Sequence, residues 1–214
     1  MNRVELKSLA KEQIKGKIGI LFVIALIIGL ISGAAGAILS IIPGGSVVAS
    51  IIITPAFTLS LVRVYLNVVK GGKPEAGDAF SGFDDFWSAF KVTFLVGLFT
   101  YLWSLLFIIP GIIKSFSYSM APYILAENKG KAALECINES KAMTNGHKMD
   151  LFVLGLSFIG WSLLCVVTFG IAFIWVGPYM QATYTNAYLS LKPPVVEAPV
   201  VEEVVVEQPA EIAE

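Results

Sequence analysis

Charged and metal-binding residues are scarce in this chain. Only 14% of its 214 residues are Asp, Glu, Lys or Arg, and it contains one histidine and two cysteines. The cysteines, Cys136 and Cys165, lie in segments of different character, one polar and one apolar, so we expect neither a disulfide framework nor a metal site. His147 has no second His or Cys at ligand spacing, which also argues against a metal site.

The sequence motifs of common catalytic classes are missing as well. There is no GxSxG nucleophile elbow, HExxH pair, Walker-type glycine loop or dinucleotide fingerprint. An active site would need titratable groups that converge from different segments, for example Glu127, Glu135 and His147. We therefore expect a protein that is not an enzyme and that binds no cofactor.

Apolar residues, in contrast, are abundant. They make up 56% of the chain, and the mean hydropathy is +0.77. A soluble domain has about 45–50% apolar and about 25% charged residues, so this composition indicates a protein that is embedded in a lipid bilayer. The net charge of −1 gives no reason to expect a nucleic-acid partner.

Six apolar segments have about the length that crosses a hydrocarbon core, which is roughly 20 helical residues. The six segments form three pairs, and a short turn signal separates the two segments of each pair: Pro43-Gly44-Gly45, Pro110-Gly111 and Phe169-Gly170. The sequence therefore predicts an all-α polytopic membrane domain over residues 1–192, with six transmembrane helices in three hairpins at about 18–69, 92–126 and 151–191.

The distribution of positive charge predicts the orientation of these hairpins. Every Lys and Arg except Lys114 precedes the first segment, follows the last one, lies between two hairpins or, for Arg63, lies near the end of the second segment on the same side. Short cytoplasmic loops of membrane proteins collect Lys and Arg. Both termini are therefore predicted to be cytoplasmic.

An alternative for the first segment is a cleaved signal peptide, since a basic start and an apolar run lead to Ala35-Gly36-Ala37. The apolar run continues to Ile42, however, and Gly29, Gly33 and Ala37 form a small-residue face suited to helix packing. These two features favour a retained span.

The hairpins resemble each other in sequence. Phe94, Gly97 and Trp103 recur as Phe152, Gly155 and Trp161, each 58 positions later. Each even-numbered segment contains one proline, which predicts a helix kink: Pro55, Pro122 and Pro178. An amphipathic stretch precedes each hairpin, and we expect surface helices in the headgroup region at about 3–15, 79–90 and 131–143.

One lysine is placed beyond a span boundary on the predicted outer side. Lys114 either reaches the outer headgroups or lines a polar cavity with Tyr118, Ser119 and Gln181. The second reading predicts a polar path between the proline-containing helices. The predicted apolar cores contain no Asp or Glu, which weakens the case for ion-coupled transport.

The last 22 residues differ from the rest. Residues 193–214 consist largely of Pro, Val and Glu and contain no basic residue. Low complexity and charge of one sign predict a disordered acidic tail.

The chain resembles an uncharacterised family of bacterial integral membrane proteins, catalogued as domain of unknown function nine-seven-five. The resemblance is carried by SFSYSMAPY at 115–123, ESKAM at 139–143, SFIGW at 157–161 and GPY at 177–179. It extends over about residues 1–191. It implies a location in the bacterial cytoplasmic membrane and no particular reaction; the layout is similar to the membrane portion of some glycerophosphodiester phosphodiesterases, without their catalytic barrel.

We therefore expect a non-enzymatic protein of the bacterial plasma membrane that organises lipids or other membrane proteins, with self-association as one form of this. The alternative is a small transporter or channel whose polar path includes Lys114, Tyr118, Ser119 and Gln181.

Overall fold

The computed structural model describes residues 2–106 and 108–192. All regular structure in these ranges is helical, which confirms the predicted all-α class. The predicted acidic tail, 193–214, lies outside the described residues. The α-helices are α1 Arg3–Ile14, α2 Ile18–Leu39, α3 Gly45–Val69, α4 Phe86–Leu106, α5 Ile108–Tyr118, α6 Ala121–Glu127, α7 Ala133–Met143, α8 Lys148–Leu156, α9 Ile159–Val167 and α10 Phe173–Leu191.

Within residues 2–106 and 108–192, four helical stretches are long and apolar enough to cross a membrane: Ile18–Leu39, Val47–Val69, Ala76–Leu105 and Lys148–Val167. The third includes two short 3₁₀ segments, Ala76–Phe80 and Phe83–Asp85, that lead into α4. The other two predicted spans differ from these four. The fourth predicted span, at about 112–126, is interrupted between α5 and α6, and α10 carries several polar residues.

The surface of the molecule is divided into two halves. Large apolar side chains are exposed where α2 meets α3, α4 meets α5 and α9 meets α10; Ile41, Leu105 and Phe169 are examples, and Phe169 is 98% exposed. Towards the opposite ends of α3 and α10, and in α6, residues such as Leu59, Tyr188 and Ile124 are fully buried in one core. The packed core thus lies at one end of the bundle.

The segments that precede the hairpins all pack into this core. In α1, Leu6, Ala10 and Ile14 recur every four residues, which places them on one helix face, and this face is buried where α1 contacts α10. The two 3₁₀ segments contact α3, and α7 contacts α4, α5 and α6. Because α1 and α10 are in contact, the first and last helices close the bundle.

All three predicted turns can be compared with the structure. The first lies between α2 and α3, where Gly44 has a φ of 79°. The chain turns between α9 and α10, where Phe169 and Gly170 have φ values of 49° and 88°. Pro110 and Gly111, where the second turn is predicted, lie within α5, which begins at Ile108. Pro110 lies in the first turn of α5, where a missing backbone N–H is tolerated. A Cβ on Gly111 would lie 2.3 Å from Ser104 Oγ, so this close approach of α5 to α4 requires glycine.

The helices are less continuous than the sequence predicts. Ser119 and Met120 separate α5 from α6, and Ser157 and Phe158 separate α8 from α9. At about 79–90 the expected single surface helix is replaced by 3₁₀ segments and the first residues of α4, which runs on to Leu106. Hydropathy patterns do not detect such breaks because the flanking residues keep the same apolar character.

Candidate functional site

Three helices end close together at the core end of the bundle. Helix α3 ends at Val69, α6 at Glu127 and α10 at Leu191, and the residues that follow include Lys70 and Lys192. A helix C-terminus leaves unpaired carbonyl groups and carries a partial negative charge. Lysines at two of these ends therefore complement the helix dipoles.

The carboxylate of Glu127 joins the three ends. Lys70 Nζ donates to Glu127 Oε1 at 2.6 Å, and Lys192 Nζ donates to Oε2 at 2.7 Å. The hydroxyl of Tyr188 also donates to Oε2, at 2.7 Å. The Glu127 side chain is only 10% exposed, so these hydrogen bonds act in a partly desolvated environment. We call Lys70, Glu127, Tyr188 and Lys192 the Glu127 cluster.

The environment of Glu127 keeps it ionised. Burial alone would raise the pKa of this carboxyl, but hydrogen bonds from Lys192, Lys70 and Tyr188 outweigh burial and lower the pKa to about 2. A general acid or base works best with a pKa near the operating pH. The Glu127 cluster is therefore suited to holding helices together and poorly suited to proton transfer at neutral pH.

This lowered pKa predicts how acid affects stability. A carboxyl whose pKa is lower in the folded state adds stability that is complete above its ordinary pKa, 4.5 here, and is lost as the pH falls towards 2. We expect thermal stability in detergent to be insensitive to Glu127 between pH 7 and about 5 and to fall below pH about 4.5. Comparing the melting curves of the unmodified protein and Glu127→Gln across this range isolates the contribution, which the variant should lack.

A polar cavity of about 460 Å³ adjoins the Glu127 cluster. Its lining includes Arg63, Asn67, Lys70, Glu127 and Lys192, so cations outnumber carboxylates there. Arg63 is itself paired with Asp85 and also donates to the carbonyl of Ser81, which fixes the second 3₁₀ segment to α3.

Helix α1 ties two of the three helix ends together. Gln13 Nε2 donates to the carbonyl of Val69 at 3.3 Å, and Gln13 Oε1 accepts from Asn186 Nδ2 at 2.7 Å. Lys17 Nζ donates to the carbonyl of Gly72 at 2.8 Å, just beyond the end of α3. These side chains satisfy groups that the end of α3 leaves unpaired.

A second buried polar contact stabilises the break between α5 and α6. Ser140 of α7 is fully buried; its Oγ donates to the carbonyl of Ser117 at 2.8 Å and accepts from the N–H of Met120 at 3.2 Å. The hydroxyl of Thr144 lies 3.4 Å from the same Ser117 carbonyl. Side chains of α7 thus replace the helical hydrogen bonds that the interruption removes.

Comparison with known proteins identifies the family. A family model described as "Protein of unknown function (DUF975)" matches residues 1–115 and again residues 105–193. The chain belongs to the DUF975 family. This confirms the resemblance seen in the sequence. No curated protein and no solved structure matches the chain.

In this DUF975 protein the four residues predicted to share a polar cavity lie in different environments. Lys114 Nζ is 4.5 Å from the centroid of the Trp103 ring, and Tyr118 is buried beside Phe99. Ser119 donates to the carbonyl of Phe116. Gln181 lines an apolar groove between α2 and α10. The polar path remains a prediction from sequence.

The three prolines of the DUF975 chain occupy two kinds of position. Pro55 lies inside α3 and Pro178 inside α10, as expected for kinks. Pro122 lies in the first turn of α6, directly after the break at Ser119-Met120. There its missing N–H has no intrahelical partner to lose, so Pro122 starts a helix and does not kink one.

The three residues considered for an active site have separate partners or positions. His147 Nδ1 lies 3.2 Å from Asp150 Oδ2, a contact across one helical turn. Glu127 belongs to the Glu127 cluster, and Glu135 lies in the first turn of α7. The Glu127 cluster was missed by sequence reasoning. One signal in the sequence could have indicated it. Among the three even-numbered spans, one ends at an acidic residue, Glu127, and the other two are followed by basic residues, Lys70 and Lys192.

Proposed function

We propose that this DUF975 protein is a non-enzymatic integral protein of the bacterial cytoplasmic membrane, with six membrane-crossing segments and both termini in the cytoplasm. In this proposal it is a structural protein that organises the lipids and membrane proteins around it. The observation that carries the proposal is the division of the molecule into an apolar exposed half and a polar core end with the Glu127 cluster.

Burial of α10 supports counting it as a span although it is polar. Thr183 and Thr185 donate to carbonyls one turn earlier, at 2.7 and 2.9 Å, and Asn186 is bonded to Gln13. Polar groups that are satisfied within the protein do not have to face lipid. A helix that is buried among other helices can therefore cross the membrane with a lower mean hydropathy than a helix that faces lipid.

Two grooves with matching linings support a repeated unit. The groove between α2 and α10 and the groove between α3 and α4 have volumes of about 400 and 440 Å³. Positions 173, 174, 177 and 178 of α10 correspond to 50, 51, 54 and 55 of α3, always 123 apart. Positions 22, 25, 26, 29 and 30 of α2 correspond to 90, 93, 94, 97 and 98 of α4, always 68 apart.

The third place in this pattern, where α5 meets α8, is filled by aromatic side chains, whereas the other two places are grooves. There Phe116 and Phe152 meet edge to face with ring centroids 5.9 Å apart, and Tyr118 and Leu151 are buried. A threefold repeat of one hairpin unit accounts for all three junctions, and it accounts for the recurrence at 58 positions in the sequence.

Labelling of single cysteines in intact cells tests this topology. In a background with Cys136 and Cys165 replaced, we expect an impermeant thiol reagent to label Ile42→Cys and Phe169→Cys, both exposed at turns. Lys73→Cys and Asn145→Cys should react only after the cells are permeabilised. Their labelling in intact cells would contradict the orientation, and protection of Phe169→Cys alone would leave the last hairpin inside the bilayer.

A further inference from the structure

Helix α1 carries a stripe of positive charge. Arg3, Lys7 and Lys11 recur every four residues and therefore share one side of the helix, and Lys15 follows four residues later at its C-cap. This side is next to the face of α1 that packs against α10. The acidic residues of α1, Glu5 and Glu12, lie roughly 130° further round the helix at 100° per residue.

The stripe follows a row of aromatic rings on the neighbouring helices. Lys7 Nζ is 4.2 Å from the centroid of the Phe158 ring and donates to the carbonyl of Ser157 at 3.2 Å. Lys11 Nζ is 5.5 Å from the centroid of the Tyr179 ring. Burial lowers the pKa of Lys7, as do the neighbouring charges of Arg3 and Lys11. The positive groups are thus close enough to repel one another.

A cavity of about 240 Å³ lies at the far end of the stripe, where α1 leads into α2. Lys11 and Lys15 line one part of it, and Trp161, Trp175 and Tyr179 line another. None of the described residues that line this cavity is a carboxylate. Its chemistry is therefore that of a cationic group beside an apolar aromatic surface.

An anionic phospholipid matches both parts of this lining. Its phosphate complements two lysines, and the first carbons of its acyl chains complement the indole rings. Trp and Tyr concentrate at the headgroup level of membrane proteins, and basic clusters there attract anionic lipids. The cavity also lies at the start of a candidate span, since α2 begins at Ile18, only three residues after Lys15.

We propose that this cavity binds the headgroup region of an anionic membrane phospholipid, with Lys11 and Lys15 at the phosphate and Trp161 and Trp175 beside the acyl chains. The site rests on the proposed function, because it requires these helices to be in a bilayer. It gives the general role in lipid organisation a specific ligand class and position.

Tryptophan fluorescence can test this site directly. The full chain has four tryptophans, and Trp87→Phe with Trp103→Phe leaves only the two in the cavity. This variant is reconstituted into phosphatidylcholine vesicles that contain a minor fraction of a lipid with brominated acyl chains. The brominated lipid is phosphatidylglycerol in one set of vesicles and phosphatidylcholine in the other. We expect brominated phosphatidylglycerol to quench the tryptophan fluorescence by half at a mole fraction about fivefold lower than brominated phosphatidylcholine does, since basic residues near the surface attract anionic lipid.

Charge variants separate this site from general attraction to the surface. Lys11→Gln with Lys15→Gln should remove the preference, and the conservative Lys11→Arg with Lys15→Arg should retain it. Lys73→Gln with Lys129→Gln is the matched control, because it removes the same charge from exposed positions outside the cavity lining and should leave the preference intact.

Several outcomes would overturn the proposal. Equal, measurable quenching by the two brominated lipids would exclude this site while leaving the membrane location intact. Equal loss in the control variant would indicate non-specific attraction, and removal of the preference by inorganic phosphate would indicate a soluble anion. If neither lipid quenched and alkaline carbonate released the protein from membranes, both this site and the proposed function would be wrong.

Discussion

Replacing Ser140 with valine is expected to lower the free energy of unfolding by about 3 kcal/mol. The side chain is fully buried, and its hydroxyl serves both the Ser117 carbonyl and the Met120 N–H at the break between α5 and α6. Valine fills a similar volume but removes the partner of the Met120 N–H and leaves the Ser117 carbonyl with only the 3.4 Å contact to the Thr144 hydroxyl. A buried group without a partner costs about 1–3 kcal/mol. Chemical or thermal unfolding in a mild detergent measures the change.

A matched substitution elsewhere controls for the loss of a serine hydroxyl. Ser190→Val is suitable because Ser190 is exposed near the end of α10 and its hydroxyl donates to the carbonyl of Ala187, three residues earlier in the same helix. We expect a change of about 0.5 kcal/mol or less there. Equal effects of the two substitutions would mean that Ser140 does not stabilise the interrupted helix.

Glu127→Gln is expected to cost about 2 kcal/mol at neutral pH. Glutamine keeps the shape of the side chain but leaves Lys70 and Lys192 without a counter-charge at the point where three helices end. Because the glutamate side chain is only 10% exposed, solvent screens this loss incompletely. The difference in melting temperature at pH 7 in low salt measures it.

The ion pair between Lys131 and Glu139 provides the comparison for Glu127→Gln. Its side chains are 27% and 42% exposed, so Glu139→Gln should cost less than about 1 kcal/mol. The Glu127 variant should also lose its dependence on acid between pH about 4.5 and 2, since no carboxyl remains there to titrate. A glutamine variant as stable as the unmodified protein would show that packing alone holds the three helix ends.

The helices themselves were predictable because the information for them is local. Ile18–Leu39 is a long apolar run between a basic segment and a Pro-Gly turn, and the structure forms a helix there. The buried face of α1 follows from four-residue spacing of apolar residues. Neither prediction requires knowledge of a distant partner.

The interruptions and the Glu127 cluster were not predictable in this way. The break at Ser119-Met120 is stable because Ser140, about 20 residues away, satisfies the exposed backbone groups. Glu127 acquires its partners from positions 57 and 65 residues away in the chain. A single sequence gives periodicity and turn chemistry, whereas these contacts depend on how separate helices are arranged.

The closure of the bundle by α1 has a consequence for biosynthesis. Gln13 pairs with Asn186, a contact that spans 173 residues of sequence. During translation α1 is made long before α10, the helix that covers its apolar face. Until α10 is made, the nascent chain exposes an amphipathic helix with a basic edge, and we expect this helix to bind to the membrane surface. Docking of α1 onto α10 therefore has to wait until α10 is made, and we expect chains that stop before α10 to be removed by cellular proteases.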